Sequence, residues 1–190
     1  MGIQEELDVL FEKWKKALDL QMTERFIPDG IAGDEDAYKK DRVLYILKES
    51  HLKGEPPEDN CKHGYFWFKD QVKSPKPHRI TKRIKAMQEA IPKKGGLTSV
   101  AYMNINKRGG GAETDPKALK AHAQSVASFI KEEIRILAPE LIICCGCYGI
   151  ISDAAILGED PRLVDMWHPS YYAVNCDKYI QKYKSAREFR

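Results

Sequence analysis

Four short apolar runs punctuate the chain, at residues 43–47, 99–105, 141–145 and 163–167. Val43-Leu44-Tyr45-Ile46-Leu47 is continuous and rich in strand formers, as expected of a strand covered on both faces. The others carry the same signature at similar length. Between them the apolar positions recur every three or four residues. Leu7, Leu10, Phe11, Trp14 and Leu18 mark one stripe of an amphipathic helix over 3–20, and Ile80, Ile84, Met87 and Ile91 mark another over 79–91. Thr114-Asp115-Pro116 is a helix start, with a capping oxygen ahead of a proline in the first turn. From there the pattern predicts one helix to about Leu137, where Pro139 stops it. Short helices are expected at 34–42, at 148–157 before Gly158, and at 177–189 with Ile180, Tyr183 and Phe189 apolar. Strands alternating with helices predict a three-layer α/β/α fold around a four-stranded parallel sheet. In such sheets ligands bind beyond the carboxyl ends of the strands.

The length of 190 residues suits a single domain spanning 1–190, with 1–41 as an acidic helical extension packed on it. Residues 1–41 carry a net charge of −5 and the remainder +8. A basic body of that kind fits a polyanionic partner. The densest basic stretch holds Lys73, Lys76, Arg79, Lys82, Arg83 and Lys85, on the polar side of the helix over 79–91. No apolar run approaches the roughly 20 residues of a membrane span, and residues 1–20 are too charged for a signal peptide. A cytoplasmic protein without membrane contact is expected, and a monomer. Cys144, Cys145 and Cys147 sit in or just after an apolar run and read as small buried hydrophobes. Cys61 and Cys176 lack zinc-type spacing, so neither metal nor cofactor is expected. The loop Arg108-Gly109-Gly110-Gly111 lacks the Gly-Lys-Ser/Thr ending of a P-loop, which excludes that mode of nucleotide binding.

The strand ends carry the chemistry. The first run leads into Lys48-Glu49-Ser50-His51, the second into Asn104-Ile105-Asn106-Lys107, and the fourth into His168-Pro169-Ser170-Tyr171-Tyr172. A carboxylate (Glu49), an amide (Asn104) and an imidazole (His168) thus stand at ends that a parallel sheet brings together. Proline fixes the turn after His168 and ends the ladder there. The aromatic cluster Tyr65-Phe66-Trp67-Phe68 is either core or a stacking surface.

These motifs, in this order and spacing over about residues 42–175, resemble the uracil-DNA glycosylase superfamily. Its first motif corresponds to Leu47-Lys48-Glu49-Ser50, its Asn-x-x-Lys to Asn104 through Lys107, its Pro-x-x-Ile-x-x-x-Gly to the stretch from Pro139 to Gly146, and its last to His168-Pro169-Ser170. Lys48 and His51 stand where the family has Gly and Pro. Arg108 stands where the iron–sulfur branch has a cysteine, so no cluster is implied. Gly54-Glu55-Pro56-Pro57 imitates the first motif, but it lies several residues beyond the strand.

The resemblance implies hydrolysis of the N-glycosidic bond of uracil or a related damaged base in DNA. Glu49 would position water and His168 would steady the departing base. Asn104 would read the base edge, and Phe66 or Phe68 would stack on it. Ser50, Lys107, Ser170 and Tyr171 would contact phosphate or DNA, with Tyr171 or Tyr172 as a wedge. The alternatives are a non-catalytic member binding nucleic acid or a nucleobase, and a hydrolase of another N-glycoside. The chemistry is coherent in itself: bond cleavage leaves charge on the base that a neutral imidazole donor can stabilise by about 3–4 kcal/mol. The base must first leave the stack.

Overall fold

The computed structural model describes residues 2–20, 26–51, 67–110 and 113–188. At its centre lie four parallel strands: β2 (Val43–His51), β3 (Val100–Gly110), β4 (Leu141–Cys145) and β5 (Leu163–Met166). A two-residue strand, β1 (Gly30–Ile31), pairs antiparallel with β3. The sheet is therefore mixed and five-stranded, in the order β1-β3-β2-β4-β5, rather than four-stranded and parallel. Gly30 and Ile31 are too few to leave a periodic trace in the sequence.

Alternation along each strand sends side chains to two separate cores. Leu44, Ile46, Ala101, Met103, Ile105, Ile142, Cys144 and Leu163 face one of them. That layer comprises α1 (Ile3–Ala17), α5 (Pro116–Ser125), α6 (Ala127–Leu137) and the single turn α7 (Tyr148–Ile151). Val43, Tyr45, Leu47, Val100, Tyr102, Ile143, Cys145, Val164 and Met166 face the other. There α3 (Trp67–Lys73), α4 (Arg79–Glu89) and α8 (Cys176–Glu188) supply Phe68, Ile84, Met87, Tyr179 and Tyr183. The short α2 (Glu35–Asp41) is capped by Asp34, whose carboxylate accepts from the Ala37 N–H.

The helix α1 buries Leu7, Leu10, Phe11 and Trp14 completely or nearly so. At about 1.5–3 kcal/mol for each large apolar side chain removed from water, that stripe holds the acidic N-terminal segment against the body. Among the described residues no helix is long and apolar enough to cross a membrane.

Three boundaries depart from the periodic reading. The helix expected to run unbroken to Leu137 is divided at Val126, whose φ and ψ are −111° and 17°. Ser125 Oγ donates to the His122 carbonyl at 2.8 Å, competing with the backbone for that acceptor. The helix expected over 148–157 stops after Ile151, because Asp153 folds the following residues into turns. Its carboxylate takes the Ala155 N–H, and its carbonyl takes those of Ile156 and Gly158. Strands β2 and β3 outrun their apolar cores, since the polar pairs Glu49↔Asn106 and His51↔Gly110 extend the ladder past a bulge.

Candidate functional site

Strand order alone locates a crevice. From the end of β2 the chain proceeds to β3 on one side, and from the end of β4 to β5 on the other. Connections leaving in opposite directions open a gap between the carboxyl ends of β2 and β4. An open depression of about 520 Å³ lies there, lined by Lys48, Gly146, Tyr148, Gly149, Asp165, Met166, Trp167, His168 and Tyr171.

Gly146 makes the floor. Its φ of +75° suits glycine. A Cβ at this position would stand 3.1 Å from His168 Cβ and 3.2 Å from Lys48 Cε. The chain ends of β2, β4 and β5 therefore meet over one small residue.

His168 is half-buried at the lip. Its Nδ1 accepts the Ser170 N–H at 3.3 Å and lies 2.6 Å from Ser170 Oγ. A backbone N–H can only donate, so Nδ1 carries no proton and the neutral ring holds its hydrogen on Nε2. Burial, then the nearby Lys48 charge, lowers the imidazole pKa from 6.5 to about 4. At neutral pH this side chain on the crevice lining is an uncharged N–H donor, and Ser170 is the residue that sets its tautomer.

The loop after His168 is held from beneath. Arg83, only 6% exposed, donates to the carbonyls of Pro169, Tyr171 and Val174 and stacks on Tyr179 with its guanidinium 4.6 Å from the ring centre. Tyr179 OH also donates to the Trp167 carbonyl at 2.7 Å. Anchored in this way, Trp167, Tyr171 and Tyr172 stand at 37%, 43% and 84% exposure, large apolar surfaces presented by a fixed backbone.

The other strand-end groups occupy different ground. Glu49 does not line the depression. Its Oε2 accepts from Asn106 Nδ2 at 3.0 Å, and the carboxyl group lies hard against the Gly110 backbone, where any Cβ would clash. Asn104 is buried at 1% exposure, with Nδ2 donating to Tyr102 OH at 2.8 Å and to Ser50 Oγ at 3.2 Å. Its Oδ1 is buried with no hydrogen-bond partner among the described residues. Such an orphaned acceptor is costly unless something donates to it. Ser50 is thus engaged with Asn104, and Ser170 with His168.

Two expectations are corrected. Phe68 is fully buried, stacked on Tyr102 with centroids 4.6 Å apart, and has no face left for a ligand. Lys107 is fully buried as well, so it offers no charge to a phosphate. Its ammonium lies 2.5 Å from Asp29 Oδ1 and 2.9 Å from Glu133 Oε2, and 5.3 Å from the ring centres of both Phe11 and Trp14.

One cation here faces two carboxyl groups. Burial, then the Asp29 charge, pushes the Glu133 pKa well above its ordinary value. With the proton on Glu133, its carboxyl group has Asp29 as an acceptor. Asp29 Oδ2 also accepts the backbone N–H of Asn104 at 2.7 Å, so this network holds the Asn104 strand from behind.

Phe66, Tyr65, Cys61 and the motif-like stretch at 54–58 lie outside the described residues, as do the side chains of His51 and Trp67. Among the described residues no cluster of His, Cys, Asp and Glu is arranged to hold a metal ion. The periodic reading missed Arg83, which it placed on a solvated basic face. Its spacing from Ile80 and Met87, three and four residues away, puts it on the buried stripe instead. Asp29 gave no such signal: it lies in a turn segment whose partners are 75 and 78 residues distant.

No family model matches this chain, and no curated protein matches it.

Proposed function

We propose that the chain is a uracil-DNA glycosylase-like hydrolase, cleaving the N-glycosidic bond of uracil or a related damaged base in DNA. The observation that carries this reading is His168: a neutral imidazole with its proton on Nε2, at the mouth of the crevice between β2 and β4. As the glycosidic bond breaks, negative charge gathers on the base oxygens. A neutral N–H donor at that mouth can stabilise it without first losing or gaining a proton.

Asn104 supports the reading through its buried Oδ1, which has no partner among the described residues and is an acceptor suited to a base N–H. Glu49, held by Asn106, is the carboxylate for water and for the cationic sugar. Trp167, Tyr171 and Tyr172 are the surface against which a duplex opens or a strand stacks.

Base release from uracil-containing single- and double-stranded oligonucleotides tests the proposal, with Glu49→Ala and His168→Ala beside wild type. Cleavage at uracil, suppressed by both changes, is the expected result. Folded protein with no base release refutes it.

A second reading is favoured by one observation. Lys48, and not Glu49, is the β2 residue that lines the crevice with His168. A site whose β2 residue beside the imidazole is a cation and not a carboxylate binds without turnover. This nucleic-acid or nucleobase-binding protein would retain oligonucleotide in a strongly salt-dependent manner and release no base. Activity confined to nucleosides or other modified bases would point to an N-glycoside hydrolase of different substrate.

A further inference from the structure

Lys48 is the feature that neither the fold nor the imidazole explains. It is half-buried near the end of β2, beside the Gly146 floor, and its charge reaches both His168 and Cys147. The ion pairs among the described residues do not include it. Asp165, also on the lining, is exposed and makes no such pair with it. A half-buried lysine with no ion pair among the described residues, beside an uncharged N–H donor in a concave site, is arranged for a negative ligand.

We propose that Lys48 and His168 form a two-donor anion site, and that its ligand is a planar heteroaromatic oxyanion, a nucleobase carrying negative charge on a ring oxygen. The ammonium meets the charge and the imidazole Nε2–H meets the oxygen. The walls argue for a ring over a bare phosphate. Trp167, Tyr148 and Tyr171 border the depression, with the Trp167 and Tyr171 ring centres 5.8 Å apart and their planes 57° apart. Aromatic faces add stacking that an inorganic anion cannot use. The volume of about 520 Å³ is ample for one base and part of its sugar. Glycine at 146 leaves the floor open, where a Cβ would press on His168 Cβ and Lys48 Cε.

This inference rests on reading the crevice as a nucleobase site, and it makes Lys48 the residue that selects among bases. A lysine at this place favours a base that is already anionic, or becomes so on departure, over a neutral one.

The test is binding by the full chain at neutral pH of three probes: barbiturate, which is anionic there, uracil, which is neutral, and inorganic phosphate. Affinity is followed by calorimetry, and the His168 ring and Trp167 indole resonances by NMR. Barbiturate should bind at least about tenfold tighter than uracil, as a charge-assisted bond requires, and should shift both resonances. Lys48→Met should erase that preference with the far-ultraviolet circular dichroism unchanged, and Lys48→Arg should keep most of it.

Equal binding of the two bases, a preference that survives Lys48→Met, phosphate binding tighter than barbiturate, or no binding of any probe would each overturn the proposal. The outcomes separate from those of the excision assay. Barbiturate preference without base release leaves the anion site standing and removes the glycosylase. Base release without the preference does the reverse.

Discussion

Replacing Lys107 by methionine tests the buried network behind Asn104. The substitution keeps the volume and deletes the charge. Asp29, Lys107 and Glu133 are all 0% exposed, so water cannot compensate the loss. Removing one partner of a buried ion pair costs about 3–5 kcal/mol, because the remaining charge is left without a counter-ion. In a chain of this length that corresponds to a fall in Tm of roughly 6–20 °C.

Glu133→Gln should behave differently. If Glu133 is already protonated, the amide is a neutral replacement and costs no more than about 1 kcal/mol at pH 5. Its effect should then change sign with pH. The folded pKa of Glu133 is raised above the ordinary 4.5, so over that interval the folded state binds a proton that the unfolded state has released. Its favourable contribution is complete below about pH 4.5 and declines as pH rises toward the folded value. The slope is about 1.4 kcal/mol per pH unit. Glutamine has no such slope, so the variant should overtake wild type at pH 8. Urea denaturation followed by tryptophan fluorescence from pH 5 to 8 measures both variants, Trp14 lying against the network. A Glu133→Gln cost that matches that of Lys107→Met at every pH would show that Glu133 is ionised and refute the reasoning.

Two other outcomes follow from the geometry. His168 should titrate near pH 4 by NMR, and Lys48→Met should raise that value, since Lys48 is the second cause of the depression after burial. Because the folded pKa lies below 6.5, the stability tied to the neutral ring is present above about that pH and is lost as pH falls toward 4. Arg83→Lys should cost about 2–3 kcal/mol, since a lysine cannot span the carbonyls of Pro169, Tyr171 and Val174 in one plane. A lower Tm and a loosened Trp167 environment in fluorescence would register it. An unchanged Tm would mean that the loop does not depend on the guanidinium.

The sequence by itself determined the order of elements and the residues at the strand ends, because apolar periodicity is a local property. Two-sided burial writes a continuous apolar run for a strand such as 43–47, and one-sided burial writes a stripe such as Leu7, Leu10, Phe11 and Trp14. Where a local hydrogen bond competed, as at Ser125 and Asp153, periodicity overran the true helix end.

The tertiary structure decided which strand-end groups meet. Adjacent residues on a strand point to opposite faces, so the crevice received Lys48 while Glu49 turned to Asn106. It also decided that Lys107 is buried, because the two carboxyl groups that hold it, Asp29 and Glu133, come from segments 78 and 26 residues away. Charge, tautomer and exposure are properties of neighbours in space. For His168, Asn104 and Lys48 those neighbours come from different strands and loops, and no spacing along the chain encodes them.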